Sequence, residues 1–82
     1  MLKLVGHVFV DSHRIVIIDP FNLPLWTKKN YEECSNIKDA SSCLENQAVC
    51  VLTSDGFYPV YADIQEDGVH KVVIDFEHGR RE

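Results

Sequence analysis

The sequence predicts a mainly β protein, a small antiparallel sheet of about five strands made of a hairpin followed by a three-strand meander. Residues 2–11 alternate between apolar and polar side chains with the period of two that is typical of a strand. Three further apolar and aromatic runs, separated by two Asp-Gly pairs, follow at residues 48–52, 57–64 and 71–76. Glycine accepts the positive φ that tight hairpin turns require, so these pairs predict the meander. We expect the sheet to form a partly open barrel or a sandwich.

The first two strands are predicted to form a hairpin around the polar segment Asp11-Ser12-His13. Gly6 interrupts the alternation of the first strand, which indicates a bulge at that position. Residues 14–19 are apolar on both faces, a pattern typical of a central strand that is covered on both sides. Ile17 is therefore expected to lie buried in the core.

A short helical or irregular insertion is predicted at about residues 20–46, because Pro20 cannot donate to a strand ladder. Asn30 suits the N-cap of a short helix, and two glutamates follow it in the first turn, where the helix dipole favours them. Apolar residues at helical spacing predict a second short helix within residues 35–46.

The strand at residues 57–64 contains Pro59, which lacks a ladder donor and indicates a sheet edge or a bulge. Tyr58 and Tyr61 fall on opposite faces of this strand, so we expect one face to be core and the other a partly covered surface. The tail from His78 to Glu82 is predicted to be frayed.

A single domain, residues 1–82, is expected for a chain of this length, and its core should be thin. A thin core and exposed strand edges favour a homo-oligomer. The net charge of -5 comes from 8 Lys and Arg against 13 Asp and Glu. This balance disfavours nucleic acids and anionic membrane surfaces as partners, because both attract basic faces.

The compartment is predicted from leader, membrane and cysteine patterns. No apolar run approaches the roughly 20 residues that span a bilayer, and the first residues lack the apolar core of a leader. We therefore expect a cytoplasmic protein, and the odd number of cysteines agrees with a reducing compartment. The cysteine spacing matches no zinc site, so no metal or other cofactor is predicted. Cys50 is expected in the core, and Cys34 and Cys43 are expected to be half-exposed thiols.

Three segments carry a resemblance to a known family: VDSHRIVIIDP at residues 10–20, GFYPVY at 56–61 and VVIDF at 72–76. In order and spacing they resemble small uncharacterised bacterial and phage proteins akin to the DUF4241 group. Those proteins carry a V-D-S-G-x-(I/L)-x-I-x-D-P hairpin, a D-G-x-Y-P-V-Y strand and a final β-strand. His13 stands where that pattern has glycine, so the first turn is expected to differ. The resemblance implies a β-rich cytoplasmic fold and no particular activity.

A binding role is the function that the sequence favours. The predicted binding residues combine rigid aromatic rings with positive charge: Tyr58, Tyr61, Trp26, Arg14, Lys28 and Lys29. Aromatic rings offer a large contact area at a low cost in conformational entropy. We therefore predict a non-catalytic binding or interaction module, whose partner is a protein or a small anionic ligand such as a nucleotide signal. The resemblance to phage proteins makes a host protein an attractive partner.

Two other functions stay open. A small hydrolase or metal-dependent enzyme would use Asp11, His13 and Asp19, whose side chains would then converge in one pocket. The two aspartates also suit simpler roles, fixing a turn and capping the Pro20 corner through backbone hydrogen bonds. A purely structural subunit would instead present a flat apolar patch without a cleft.

Overall fold

Strands dominate the computed structural model, which describes residues 1–81 and, at Pro24 and Leu25, the backbone alone. The predicted mainly β fold is confirmed. In chain order the elements are β1 (Leu2–Val10), β2 (Arg14–Ile18), a 3-10 helix (Pro20–Leu25), α1 (Lys28–Ser35), β3 (Ala40–Cys43), β4 (Ala48–Leu52), β5 (Gly56–Gln65) and β6 (Gly68–Ile74). The chain divides into two compact units, a terminal unit formed by Met1–Ser12 with Ser54–Glu82 and a central unit formed by His13–Thr53.

The terminal unit contains a three-stranded antiparallel sheet in the order β1-β5-β6. A register shift between Leu4 and Gly6 confirms the predicted bulge. β5 is the central strand and its register with β1 has no shift at Pro59, so the edge position or bulge predicted from Pro59 is wrong. The Pro59 carbonyl accepts the Asp75 N–H at 3.1 Å, immediately after β6 ends. A strand residue directs its N–H and its carbonyl to the same side, so the N–H that Pro59 lacks would also have pointed towards β6. The β5–β6 ladder stops at this point, so the sheet tolerates the missing donor.

The core of the terminal unit is built around Tyr58, whose side chain is fully buried. Its ring meets Phe76 edge to face, with the ring centroids 5.0 Å apart. Its hydroxyl donates a hydrogen bond to the carbonyl of Ser54. The buried Tyr58 hydroxyl needs this hydrogen bond, because an unsatisfied hydroxyl inside a protein is costly. Val10 and Ala62 are buried in the same unit.

The C-terminal tail is held against the start of β5, so the prediction that it is frayed is wrong. The Phe57 N–H donates to the Gly79 carbonyl at 3.0 Å, and the Arg81 N–H donates to the Asp55 carbonyl at 2.8 Å. These backbone bonds lengthen the edge of the sheet beyond β6. Glu82, which the same prediction included, lies outside the described residues.

The central unit contains the second antiparallel sheet, in the order β2-β4-β3. The prediction that residues 14–19 form a doubly covered central strand is wrong, because β2 lies at the edge of this sheet. Ile17 points away from the core and is 54% exposed. Val16 and Ile18, on the other face of β2, pack against the buried cluster of the central unit.

The insertion contains one α-helix and one unpredicted strand. Thr27, not Asn30, is the N-cap of α1, because its hydroxyl accepts the Asn30 N–H at 3.2 Å. The second helix predicted within residues 35–46 is wrong, because β3 pairs with β4 there. The three residues after β3 all have positive φ and form the left-handed connection to β4: Leu44 (55°), Glu45 (55°) and Asn46 (69°).

The strand pairing differs from the predicted hairpin and meander, although the strands themselves lie close to the predicted positions. β1 pairs with β5 and β2 pairs with β4, so the predicted β1–β2 hairpin and the β4–β5 pairing are wrong. The β5–β6 hairpin is confirmed. The glycines explain the difference. Gly68 has the positive φ of a hairpin turn, at 129°, whereas Gly56 is not among the glycines with positive φ.

All three cysteines lie in the buried core of the central unit. Cys50 is fully buried, which confirms its prediction as a core residue. Cys34 and Cys43 are 1% and 5% exposed, so the prediction of half-exposed thiols is wrong. Ala48 is the fourth buried residue of this cluster, and the partly buried Trp26, Ile37 and Leu44 pack against it. The sequence around Cys34 and Cys43 is largely polar, so it did not indicate that these residues are buried. Their burial depends on the pairing of β3 with β4, which places Cys43 beside Ala48.

Candidate binding site

One face of the terminal sheet is mostly apolar and largely exposed, with the charged pair Asp63 and Lys71 at the end next to Leu2. On β5 it lies opposite the buried face that carries Tyr58, and cross-strand partners extend it onto β1 and β6. We call it the aromatic face and define it by Leu2, Leu4, His7, Phe9, Phe57, Pro59, Tyr61 and Val73. Phe9 and Phe57 are cross-strand partners, 58% and 56% exposed. An exposed apolar surface of this kind on a small protein is typical of an interaction site.

Ring stacking orders part of this face. The imidazole of His7 lies flat on the ring of Phe57, with the ring centroids 4.6 Å apart and the planes within 5° of each other. The guanidinium of Arg81 lies 5.4 Å from the centre of the Phe9 ring. Such contacts hold the rings in fixed orientations, so less side-chain entropy would be lost when a partner binds.

A cavity of about 620 Å³ opens on the aromatic face, beside the end of β6. Its volume is in the range of pockets that bind small groups. The Leu2, Tyr61 and Val73 side of the cavity belongs to the face itself. Apolar residues alternate with two carboxylates along the other side, which is the continuous segment Ile74, Asp75, Phe76 and Glu77.

The electrostatics of the cavity are set by this acidic segment. Nδ1 of His78 lies 2.7 Å from Oδ2 of Asp75, and the Glu77 N–H donates to Oδ1 of Asp75 at 2.8 Å. The hydrogen bond from His78, followed by that from the Glu77 backbone, lowers the pKa of Asp75. The same side-chain bond and the charge of Asp75 raise the pKa of His78. Asp75 therefore stays ionised, and Glu77 adds a second carboxylate at the exposed rim.

Arg81 ties the tail to the border of the aromatic face. Its Nη2 donates to Oδ1 of Asp11 at 2.9 Å and lies 3.5 Å from Oδ2 of Asp55. The Asp11 bond is the main cause that raises the pKa of Arg81. Each pair is solvent-exposed at one partner or both, so we assign it an orienting role for the Arg81 side chain and little stability.

The two tyrosines that were predicted as binding residues differ in their exposure to solvent. Tyr61 is half-buried and lines the cavity of the aromatic face. Tyr58, on the opposite face of the same strand, is fully buried and its ring is not available to a partner. The expectation of one core face and one partly covered face is therefore confirmed for β5.

The other four predicted binding residues lie in the central unit. Trp26 packs against the cysteine cluster, and Nη1 of Arg14 donates to the carbonyls of Cys34 and Ile37 at 3.4 and 3.2 Å. Arg14 therefore has a structural role. Lys28 and Lys29 are exposed at the start of α1.

Lys29 borders a second, mostly polar cavity of about 290 Å³, whose lining includes Glu33, Leu44 and Glu45. The carboxylate of Glu33 accepts the Leu44 N–H at 2.8 Å. Two carboxylates accompany the one lysine in this lining, so the local charge disfavours an anion.

The two aspartates of the predicted enzyme have separate partners, Arg81 for Asp11 and the Phe21 N–H for Asp19. Asp11 belongs to the terminal unit, whereas His13 and Asp19 belong to the central unit. Oδ1 of Asp19 accepts the Phe21 N–H at 2.9 Å and caps the 3-10 helix at the Pro20 corner, as the simpler interpretation predicted. Within residues 1–81 no three His, Cys, Asp or Glu side chains are grouped so that they could hold a metal ion. No helix of this part of the chain is both long and apolar enough to cross a membrane.

Apart from Tyr61, the residues of this site were not selected from the sequence; they include His7, Phe9, Asp75 and Glu77. Phe9 and His7 could be found from the alternation of β1, because they lie on the face opposite Val8 and Val10. The cavity could not be found from the sequence, because it also needs the pairing of β1 with β5, which was not predicted.

Comparisons with protein-family models, with curated proteins and with solved structures found no match to this chain. The function is therefore inferred from the geometry and chemistry of the site.

Proposed function

We propose that this protein is a non-catalytic binding module whose aromatic face and cavity take a segment of a partner protein. The segment would place a lysine or arginine side chain in the cavity and apolar side chains along the face. The observation that carries this proposal is the 620 Å³ cavity, which joins an apolar floor to an acidic rim.

The charge of the site favours a cation over an anion. Asp75 and Glu77 both line the cavity, and the whole chain carries a net charge of -5. The aliphatic stem of a lysine or arginine would pack on Leu2 and Val73, while its charged end meets the carboxylates. A second copy of this acidic chain would bring like charges together, so self-association through the cavity is disfavoured.

The extent of the face favours a polypeptide over a small molecule alone. β1 and β5 pair along nearly their whole length, and exposed rings continue well beyond the cavity at Phe9 and Phe57. Large, ordered aromatic rings are typical of the residues that carry binding energy at protein interfaces. A small anionic ligand held by Arg14, Lys28 and Lys29 gains less support, because Arg14 binds backbone carbonyls and Lys29 stands beside two glutamates.

Amide chemical-shift mapping tests the proposal with small probes that imitate the cavity occupant. We expect phenethylammonium to shift the amides of Leu2, Tyr61, Val73 and Glu77, with a dissociation constant on the order of 1 mM. Phenylacetate, which has the opposite charge, serves as the matched control and should bind more weakly.

Three results would overturn the proposal. Equal shifts with both probes would remove the role of the carboxylates, and shifts confined to the lining of the second cavity would move the site to the central unit. Changes at the same amides on concentrating the protein without a probe would indicate that a second copy occupies the face instead.

A further inference from the structure

The thiols of the central unit form a second chemical feature, independent of the aromatic face. Sγ of Cys34 lies 3.5 Å from Sγ of Cys43, and both side chains are buried. Cys34 belongs to α1 and Cys43 ends β3, so this contact joins the helix to the sheet. The three cysteines are free thiols.

Geometry singles out the Cys34–Cys43 pair among the three thiols. The Cys50 thiol donates to the carbonyl of Cys34 at 3.7 Å, and it raises the pKa of the Cys34 thiol less than Cys43 does. Cys43 is the cross-strand partner of Ala48, whereas Cys50 is the partner of Ser41. Cys43 and Cys50 are therefore diagonal neighbours in the sheet. The sulfur atoms of Cys34 and Cys43 are already in contact at 3.5 Å, so only a short further approach would form a bond of about 2.05 Å.

Access to the buried pair is provided by the strand that carries Cys43. β3 has four residues, lies at the edge of its sheet and ends at Cys43. The left-handed connection at Leu44, Glu45 and Asn46 follows directly, and L-residues rarely adopt this conformation. A short edge strand next to a strained connection is expected to open locally without unfolding the rest of the unit.

We propose that Cys34 and Cys43 are a thiol–disulfide site, which a low-molecular-weight disulfide oxidises to an intramolecular bond that fastens α1 to β3. In the first step the Cys43 thiolate attacks one sulfur of the small disulfide, whose S–S bond breaks and releases one thiolate that takes up a proton. In the second step the Cys34 thiolate attacks the Cys43 sulfur of the mixed disulfide and releases the second small thiol. Two protein thiols are oxidised and one small disulfide is reduced to two thiols.

The burial of Cys34 determines the order and speed of these steps. Desolvation, followed by the neighbouring Cys43, raises the pKa of Cys34 to about 12, so in the closed structure this thiol stays protonated at neutral pH. Reaction therefore begins at Cys43 and waits for local opening of β3. We expect slow oxidation, on the timescale of opening, in the folded protein.

Oxidised glutathione, added to the folded protein, tests the proposal. We expect a product that lacks two hydrogen atoms and carries no glutathione, with Cys34 joined to Cys43 in the peptide map. The Cys50→Ala variant should form the same bond, and the oxidised wild type should melt at a higher temperature without a reductant than with one. The Cys43→Ala variant should not form the product.

The outcomes that overturn the proposal are specific. A bond that includes Cys50, a stable glutathione adduct at Cys43, or oxidation that starts only in denaturant would each contradict it. The map of the wild-type product remains decisive even if a cysteine variant does not fold.

Discussion

At the scale of single residues, two glycines determine how the tail is held. A Cβ atom on Gly79 would clash with the Phe57 carbonyl, and one on Gly56 would clash with the Gly79 carbonyl. Gly79 also has a φ of 100°, in a region that L side chains rarely adopt. Both positions therefore require glycine, because the tail approaches the backbone of β5.

The Gly79→Ala variant should lose stability because the clash is with backbone atoms. We expect a loss of about 2 kcal/mol or more in the free energy of unfolding, measured by denaturant titration. Gly6→Ala is the matched control, since nothing lies within 4 Å of its added Cβ. Equal losses in both variants would contradict the close approach of the tail.

His78 and Asp75 give the terminal unit a defined dependence on pH. The folded state raises the pKa of His78 and lowers that of Asp75. The favourable contribution of the pair is therefore lost as pH rises through the raised pKa of His78. It is also lost as pH falls through the lowered pKa of Asp75.

A nuclear magnetic resonance titration of the His78 ring measures this coupling. We expect Asp75→Asn to return the pKa of His78 towards its ordinary value, because the substitution removes the carboxylate whose hydrogen bond and charge raise it. Glu77→Gln should lower it less, since Glu77 contributes only a smaller charge effect. An unchanged pKa in Asp75→Asn would show that the two side chains do not interact in solution.

At the scale of elements, β2 presents two faces with different energetic roles. Ile17 is more than half exposed, whereas Val16 packs against the buried cysteine cluster. We expect Ile17→Ala to cost less than about 1 kcal/mol and Val16→Ala about 1–2 kcal/mol in unfolding free energy. Chemical denaturation compares them directly. A larger loss for Ile17→Ala would restore β2 as a central strand covered on both faces.

The sequence was sufficient to place most strands, but of their pairings it predicted only the β5–β6 hairpin. Alternation and apolar runs indicated five of the six strands that the structure describes, to within a few residues. The two Asp-Gly pairs look alike in sequence, yet only Gly68 turns a hairpin, whereas Gly56 makes room for Gly79. The reason for a glycine at Gly56 lies 23 residues further along the chain, at Gly79, so no local pattern could reveal it.

The missed strand β3 has a similar cause. Its sequence, ASSC, has little strand propensity, and it forms because its backbone pairs with β4. Local patterns near it favoured a helix, but the left-handed residues that follow Cys43 place the chain in register with β4 instead. Tertiary pairing therefore overrides local preference in this segment.

At the scale of the whole molecule, the candidate site was predictable in part. The expectation that one tyrosine of β5 faces the core and the other the surface follows from alternation alone, and Tyr61, one of the predicted binding residues, lines the cavity. The predicted β5–β6 hairpin already brings Asp75 and Glu77 beside β5, but the cavity that they line was not predictable, because Leu2 reaches it only through the unpredicted pairing of β1 with β5. The negative charge of the chain thus becomes part of the proposed recognition and not only a property of its surface.

The central claim is that the carboxylates of the cavity on the aromatic face select a cationic apolar group. Reversing the rim charge with Glu77→Lys and measuring the affinities of phenethylammonium and phenylacetate tests it most directly. Glu32→Lys, on the exposed surface of α1, changes the net charge equally and serves as the control. We predict that Glu77→Lys prefers phenylacetate, while the wild type and Glu32→Lys prefer phenethylammonium. The same preference in all three proteins would contradict the claim.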